Sequence, residues 1–276
     1  MKHEHHSPVP ALKHTLGQNF ILDPALQEEL ADLTGLGPQD EVLEIGAGSG
    51  MLTQALARRA GHVTAVEIDR EMIPYLKAAT LSHPNVTVLN ADILRFDWAG
   101  FEAEHPCFHV AANLPYHITT ELLTTLVRMD LPIQSIHLML QQESAEKLCA
   151  GPGEPGYGPL TLELSQHYEA EIRKYLPREA FTPPPRVDSA FISLVRRPAP
   201  RCAVSDPALL SQLIRAGFAM RRKTLLNNLM NRYRLSREAA AAWLEAAGLP
   251  ATVRAEQVSL EGFAVLAEHR PSSDIC

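Results

Sequence analysis

The chain has 276 residues with a formal net charge of −7, and 46% of the residues are hydrophobic. This is an ordinary globular composition, and no apolar run approaches the roughly 18 residues of a membrane-spanning helix. The N-terminus has no apolar stretch of the secretory type, and the four cysteines are scattered without a Cys-x-x-Cys pair. We therefore expect a cytoplasmic protein with neither a disulfide framework nor a zinc site.

The first residues predict a flexible polar tail over 1–11. Histidines near the start of the chain offer metal ligands, namely His3, His5, His6 and His14. Terminal residues are usually poorly ordered, so we interpret these histidines as part of a frayed tail and predict no metal site.

Helices and strands alternate over the first half of the chain. The first helix is predicted from Pro24 to about Thr34, with Asp23 as its N-cap. Apolar patterning then predicts strands at 41–45, 63–66, 86–89, 108–112 and 136–140, with helices at 51–59, 70–79 and 119–127. Because such alternation requires right-handed crossovers, we predict a mostly parallel sheet.

The pattern changes after residue 150. A glycine- and proline-rich connection at 151–158 leads to a predicted helix at 160–167. Two strands follow at 170–175 and 190–196, separated by a stiff loop at 181–189. Because no crossover helix separates these strands, we predict an antiparallel hairpin added to the sheet edge.

Beyond the linker Pro198-Ala199-Pro200 only helices are predicted, at about 207–219, 223–232, 236–247 and 260–269. Ser236 and Ser259 are the predicted N-caps, and Gly248 is predicted to lie just past a helix end. We therefore divide the chain into a catalytic domain at 1–197, a small helical domain at 201–270 and a disordered tail at 271–276.

The basic residues are concentrated in one segment of this acidic chain. Between residues 196 and 237 the only acid is Asp206, against ten bases: Arg196, Arg197, Arg201, Arg215, Arg221, Arg222, Lys223, Arg232, Arg234 and Arg237. A local charge of this size attracts a phosphate backbone. The alternative is a solvated helical face with unpaired arginines.

One predicted strand ends in Asn113-Leu114-Pro115-Tyr116, at the sheet edge where α/β proteins bind ligands. The Asn113 side-chain oxygen and a backbone carbonyl of Leu114 or Pro115 could accept both hydrogens of an adenine N6, which would expose the nitrogen lone pair for alkylation. Tyr116 could stack on the base, a contact worth roughly 1–3 kcal/mol. The alternative is an Asx-Pro turn that only closes the strand.

A glycine loop, Gly46-x-Gly48-x-Gly50, follows the first strand and opens a helix, which is the context of a nucleotide-type ligand. The dinucleotide fingerprint has glycine where this chain has Met51. Glu44 is unsuited to a pyrophosphate but could attract a cationic ligand.

The next two strands end in acids. Glu67 could take both ribose hydroxyls, and Asp92 could accept a hydrogen bond from an adenine amine. Each acid alone could equally be a helix N-cap or a surface charge. Taken in order, the three strand ends predict a site for an adenosine that lacks phosphate and carries a cation, as S-adenosylmethionine does.

The chain resembles the ribosomal RNA adenine N6,N6-dimethyltransferases, specifically the bacterial small-subunit enzymes, over residues 12–270. The resemblance rests on these motifs: Gly17-Gln18-Asn19-Phe20, Glu44-Ile45-Gly46-Ala47-Gly48-Ser49-Gly50, Val66-Glu67-Ile68-Asp69, Ala91-Asp92, Asn113-Leu114-Pro115-Tyr116, Leu140-Gln141-Gln142-Glu143, Phe181-Thr182-Pro183-Pro184-Pro185-Arg186-Val187-Asp188-Ser189 and Arg221-Arg222-Lys223-Thr224. It implies an α/β fold, with the Rossmann-like seven-stranded sheet of class I S-adenosylmethionine-dependent methyltransferases, one strand antiparallel, and a small all-helical C-terminal domain.

The resemblance also implies roles for residues. The cofactor-binding residues that it implies, together with adjacent positions, are Asn19, Ile21, Gly46, Gly48, Glu67, Ile68, Asp92, Ile93 and Asn113. Asn113 to Tyr116 would be catalytic, and Phe181 would lie on the face of the base opposite Tyr116. The three basic residues Arg221, Arg222 and Lys223 would contact RNA phosphates.

The implied reaction is dimethylation of N6 on two adjacent adenosines in the hairpin loop near the 3′ end of small-subunit rRNA, late in 30S assembly. The expected partner is the 30S subunit, with no membrane and no metal, and the protein is expected to be a monomer.

Three alternatives remain open. Large-subunit adenine methyltransferases share Asn19, the glycine loop and a close variant of Asn113 to Tyr116, but the 181–189 loop and the helical domain favour the small-subunit branch. A non-catalytic assembly factor could keep this fold, although intact Glu67 and Asp92 argue against lost catalysis. DNA adenine methyltransferases carry an Asx-Pro-Pro-aromatic motif, whereas Leu114 fits the RNA family.

Overall fold

The structure, a computed structural model, describes residues 19–113, 116–129 and 131–271, apart from the side chains of Tyr116 and His117. The predicted tail at 1–11, the residues Leu114 and Pro115, and all but the first residue of the predicted tail at 271–276 lie outside the described residues.

The described strands form one seven-stranded sheet. They are β1 Glu41–Ile45, β2 His62–Glu67, β3 Val86–Asn90, β4 Phe108–Asn113, β5 Ile133–Gln141, β6 Tyr168–Leu176 and β7 Ser189–Arg196. Their order across the sheet is β3-β2-β1-β4-β5-β7-β6. The first five pair in parallel, as the alternating pattern predicts, and β7 runs antiparallel to β5. The seven-stranded methyltransferase sheet with an antiparallel strand is therefore confirmed.

The helices are α1 Pro24–Leu33, α2 Met51–Ala57, α3 Ile73–Thr80, α4 Trp98–Glu104, α5 Tyr116–Met129, α6 Gln142–Cys149, α7 Pro159–His167, α8 Pro207–Gly217, α9 Leu225–Tyr233, α10 Arg237–Ala246 and α11 Leu260–Glu268. Patterning missed α4 and α6, which have seven and eight residues and so give too few turns for a clear periodicity. Among the described residues, no helix has the length and apolar character needed to cross a bilayer.

The two strands of the predicted hairpin are neighbours in the sheet, but their order differs from that of a hairpin whose first strand would pair with β5. Its second strand, β7, lies inside the sheet between β5 and β6, and its first strand, β6, forms the edge. Burial explains this order, because β7 is almost continuously buried whereas β6 alternates between covered and exposed residues.

The chain divides into two compact units, and the division differs from the predicted boundary at residue 197. The first unit comprises 1–145 and 171–196, and the second comprises 146–170 and 197–276. The segment 146–170 was predicted to belong to the catalytic domain. It groups with the C-terminal helices because Tyr157 and Leu162 are buried in their core, and the Tyr157 hydroxyl donates a hydrogen bond to the Val258 carbonyl at 3.1 Å.

Side-chain caps begin two helices of the second unit, α10 and α11, as the sequence predicts. The hydroxyls of Ser236 and Ser259 accept hydrogen bonds from the backbone N–H three residues ahead, at 3.1 and 3.2 Å. Gly248 follows α10 with φ of 69°, which confirms its place just past a helix end. The unit's core includes the fully buried side chains of Leu213 and Phe263.

A row of buried polar side chains crosses three strands of the sheet, which the sequence did not reveal. Ser135 on β5 contacts His109 on β4 at 2.7 Å and His137 at 2.6 Å. His137 in turn contacts Ser193 on β7 at 2.9 Å. Burial lowers the pKa of His137 to about 3, so this ring is neutral at physiological pH and serves as a donor and acceptor within the row.

Candidate functional site

The glycine loop between β1 and α2 follows a path that side chains rarely adopt. Gly46, Gly48 and Gly50 have φ of 74°, 55° and 86°, all in the left-handed region. The Gly46 N–H donates to the Val66 carbonyl of β2 at 2.8 Å, which holds the start of the loop against the neighbouring strand. The loop is therefore a fixed turn at the carboxyl edge of the sheet.

Glu67, the last residue of β2, holds this loop from the side. Its two carboxylate oxygens accept hydrogen bonds from the N–H groups of Gly48 and Asp69, each at 2.8 Å. The residue is only 5% exposed. A carboxylate oxygen has two acceptor positions, so each still has capacity for a further donor such as a hydroxyl.

Glu44 lies inside β1 and is 2% exposed. Its Oε2 atom is buried and accepts no hydrogen bond from the residues that the structure describes. Burial raises the pKa of Glu44 to about 8. The nearby hydroxyl of Thr53 acts against this rise in the pKa, and the charge of Glu67 adds to it. A buried acid with an unused oxygen attracts a cation or a proton.

Asn113 ends β4, the strand beside β1. Its Nδ2 atom donates to the backbone carbonyl of Asn19 at 3.3 Å. This contact fixes the amide orientation and reserves the Oδ1 atom as an acceptor. The family resemblance implies a role for Asn19 in cofactor binding, and the structure adds this positioning contact with Asn113.

Part of the predicted catalytic tetrapeptide lies outside the described residues. Leu114 and Pro115 are not described, and Tyr116 is described only as the first residue of α5. The backbone acceptor at Leu114 or Pro115 and the stacking by Tyr116 therefore stay predictions.

Asp92 follows β3 and caps a short 3-10 helix. Its Oδ1 atom accepts a hydrogen bond from the Leu94 N–H at 3.0 Å, and its Oδ2 atom lies 3.9 Å from Arg95. Asp92 is therefore an N-cap, which is the alternative role considered for this acid. Because Oδ1 is engaged in the cap, Oδ2 is the better acceptor for an adenine amine. Ile68 is 54% exposed next to Glu67, whereas Ile93 is buried.

The segment before α1 is tied to the proline-rich loop. Phe20 exchanges two backbone hydrogen bonds with Thr182, at 3.0 and 2.8 Å. A Cβ added to Gly48 would lie 2.7 Å from the Phe20 ring, so the ring covers that glycine closely. Phe20 and Thr182 belong to two of the motifs on which the family resemblance rests. Nothing in their residue types indicates that they pair.

Two residues predicted to contact ligands have buried side chains. Ile21 and Phe181 are each 2% exposed, and both belong to one apolar cluster with Leu30 and Phe191. Phe181 therefore differs from the prediction, because its ring contributes to the core and has no open face for a base. Ile21 would contact a cofactor only through its backbone.

The three predicted phosphate contacts are exposed, but not on a helix. Arg221, Arg222 and Lys223 lie in the turn between α8 and α9, because α9 begins only at Leu225. The helix predicted from about residue 223 is present and begins two residues later, with Thr224 as its N-cap. None of the three bases forms an ion pair with another described residue.

Other bases of the same segment are neutralised by acids from outside it. Arg201 contacts Glu261 at 2.7 Å and Arg215 contacts Glu163 at 2.7 Å, while Arg197 lies 3.7 Å from Glu169. The charge counted along the sequence is therefore larger than the charge that the folded surface presents.

Metal ligands are not gathered in the part of the chain described here: no group of three or more His, Cys, Asp or Glu side chains comes together. The N-terminal histidines lie outside that part.

A family model for ribosomal RNA adenine dimethylase matches residues 10–268. The chain belongs to this family. The ribosomal RNA small subunit methyltransferase A of Latilactobacillus sakei is 40% identical over 263 residues, covering 93% of this chain and 89% of the relative. The protein of the same name from Geobacillus thermodenitrificans is 39% identical, covering 93% and 90%. This member of the adenine dimethylase family is accordingly a methyltransferase.

Solved structures agree with the fold of this family member. The 23S rRNA methyltransferase ErmE superposes with a TM-score of 0.72 at 28% identity, covering 91% of this chain and 99% of the other. A dimethyladenosine transferase from Plasmodium falciparum gives a TM-score of 0.76 at 24% identity, covering 90% and 95%. Both comparisons support the class I methyltransferase architecture.

The packing of Phe20 on Gly48 predicts an unusually costly substitution. Gly48→Ala combines left-handed strain, about 1–2 kcal/mol, with a ring clash of about 1–3 kcal/mol. Gly35→Ala is the matched control, because Gly35 also has a positive φ but nothing lies within 4 Å of the added Cβ. In urea unfolding, Gly48→Ala should lose more stability than Gly35→Ala, and Phe20→Ala should remove the excess from the double variant. Equal losses for the two alanine variants would contradict this packing.

The buried acid predicts a pH dependence of stability. Between the unfolded pKa of 4.5 and the folded value of about 8, folded Glu44 keeps a proton that the unfolded chain has released. The protonated Glu44 side chain therefore makes its full contribution to the free energy of unfolding below about pH 4.5. That contribution is lost as the pH rises towards 8. Glu44→Gln should flatten that decline in denaturant titrations at several pH values. The exposed Glu102→Gln should leave it unchanged, and the same decline in both variants would show that Glu44 is not its source.

Proposed function

We propose that the protein transfers methyl groups from S-adenosylmethionine to N6 of two adjacent adenosines in the 3′-terminal hairpin loop of 16S rRNA, within the 30S subunit. Each adenosine would be dimethylated, as a step of late small-subunit biogenesis. The observation that carries the proposal is Asn113, whose amide is oriented by Asn19 at the strand end beside the glycine loop. Family membership and the names of the small-subunit relatives support the choice of substrate.

The residues present suit S-adenosylmethionine in three respects. Glu44 offers a buried, unused carboxyl oxygen, and a cationic group bound beside it would favour loss of its proton. Glu67 keeps acceptor capacity for ribose hydroxyls while its carboxylate is held by backbone N–H groups. The positive φ of Gly46, Gly48 and Gly50 lets the loop turn at the sheet edge without side-chain strain. When bound, this cofactor supplies an electrophilic methyl group on a sulfonium.

Asn113 would act on the nucleophile. The N6 lone pair of adenine is delocalised into the ring, and an acceptor for its hydrogens draws the nitrogen towards a tetrahedral geometry. The Asn113 Oδ1 atom is the acceptor in this role, since Nδ2 is engaged by the Asn19 carbonyl. Catalysis is then mainly positioning, because the methylated amine is acidic and loses its proton readily.

The same acceptor explains why two methyl groups can be added. After one transfer, N6 still carries one hydrogen, and a single oriented acceptor is sufficient to hold it. Asn113 can therefore position the monomethylated amine once the spent cofactor has been exchanged. An adenosine in a hairpin loop also needs less unstacking to enter a pocket than one in a duplex.

The exposed turn ahead of α9 would contact the RNA backbone. Arg221, Arg222 and Lys223 lack ion-pair partners among the described residues, in contrast to the neutralised Arg201 and Arg215. Unpaired exposed bases contribute affinity through phosphate contacts and the release of counterions.

The first test supplies radiolabelled S-adenosylmethionine to 30S and 50S particles isolated from cells that lack this modification. Label should appear as N6,N6-dimethyladenosine near the 3′ end of the small-subunit RNA. Asn113→Ala should reduce transfer by about a hundredfold or more, as loss of an oriented hydrogen-bonding group in a catalytic site does, while cofactor affinity changes little.

Label confined to 50S particles would reassign the protein to large-subunit RNA, in line with its similarity to the 23S rRNA methyltransferase ErmE. Absence of label with intact cofactor binding would indicate an assembly factor. A wild-type rate in Asn113→Ala would remove Asn113 from the mechanism.

A second test addresses the turn. Replacing Arg221, Arg222 and Lys223 with alanine should weaken 30S binding and reduce the slope of log affinity against log salt by about 0.7–0.9 per lost contact. The control is Lys77→Ala/Arg128→Ala, which removes exposed charges from the first unit. An unchanged slope in the triple variant would exclude the turn from the interface.

A further inference from the structure

Helix α9 ends on a residue in an unfavourable conformation. Arg234 has φ of 55° and ψ of 38°, and it is the only residue other than glycine with a positive φ among the described residues. Its N–H and the N–H of Leu235 both bond to the Met230 carbonyl, a helix end that usually carries glycine. A side chain strains the backbone in this region, so the helix end alone does not account for an arginine.

The neighbouring tyrosine gathers two further arginines. The guanidinium carbons of Arg232 and Arg270 lie 5.2 and 5.8 Å from the centre of the Tyr233 ring. The ring itself packs edge-on against Trp243 at 5.4 Å, and its hydroxyl is buried. Tyr233 therefore acts as a fixed platform that brings together two cations from distant parts of the sequence.

We call four residues the arginine cluster: Arg232 and Arg270 at the Tyr233 ring, and Arg234 and Arg237, which follow Tyr233 within four residues of the sequence. All are exposed, and none forms an ion pair with another described residue. Among the described residues, the acids near them in sequence are Glu238 and Glu268, and Glu268 accepts hydrogen bonds from Ser205 at 2.6 and 2.8 Å. Arg237 interacts with the Glu238 charge without forming an ion pair, so the four arginines of the cluster outnumber these two acids.

The cluster lies at the opposite end of α9 from the basic turn at 221–223. A helix of nine residues is about 13 Å long, which corresponds to roughly four base-pair steps of a duplex. The two basic sites are therefore spaced to meet separate phosphates of one nucleic acid.

We propose that the arginine cluster is a second phosphate-binding surface for ribosomal RNA, and that Arg234 is retained in its strained conformation for the charge it adds there. The identity of the RNA rests on the proposed function, but the cluster itself recognises any phosphate backbone. Contacts of this kind set register and affinity and carry no base specificity.

The test compares Arg234→Gly with Arg234→Lys. Glycine removes the charge and relieves the backbone strain, so the free energy of unfolding should stay the same or rise. Its affinity for a 3′-domain fragment of small-subunit rRNA and for 30S particles should fall several-fold, with the salt slope reduced by about one. Lysine keeps both the charge and the strain, and should bind nearly as the wild type does. Arg237→Gln gives an independent measurement of the same surface.

Wild-type affinity and salt slope in Arg234→Gly, towards a fragment that the unaltered protein binds, would overturn the proposal. Reduced binding to 30S particles alone, with normal binding to the fragment, would also overturn it and indicate an acidic protein surface as the partner. A reduced slope on the fragment, in a protein that methylates neither subunit, would support the cluster and reject the proposed function. Failure of the unaltered protein to bind RNA would reject both.

Discussion

The site depends on one buried carboxylate. Glu67 joins the glycine loop after β1 to the turn after β2 through hydrogen bonds to the N–H groups of Gly48 and Asp69. Two backbone donors hold this buried side chain in one orientation, and hydrogen bonds from backbone N–H groups to a carboxylate are among the stronger ones in proteins. The acid therefore braces the loop and is already oriented as an acceptor for a ligand.

Sheet topology brings the remaining parts together. The chain passes from β1 outwards to β3 and then returns to β4 on the other side of β1, so that the strand order reverses between β1 and β4. In open α/β sheets such a reversal opens a crevice at the carboxyl ends of the strands. Glu67, Gly48 and Asn113 are far apart in sequence, and this reversal places them at neighbouring strand ends.

The sequence predicted the features that depend on local patterning, and missed those that depend on distant contacts. Alternating apolar runs predicted the parallel strands, and the residues at their ends indicated Glu67 and Asn113. The burial of Phe181 and the grouping of segment 146–170 with the C-terminal helices follow from packing that no local pattern encodes. The same holds for charge, because acids outside the basic segment, such as Glu261, neutralise part of it only in the folded chain.

The contact of Phe20 with Gly48 has a consequence for the divergence of related sequences. Because the aromatic ring occupies the space that a side chain at position 48 would need, glycine is required there as long as position 20 is large and is held by Thr182. Three positions spread over more than half of the chain are thus constrained as one set. In relatives that lose the aromatic residue at position 20, only the left-handed backbone should still constrain position 48, so that residues tolerated in that conformation, such as asparagine, could replace glycine there.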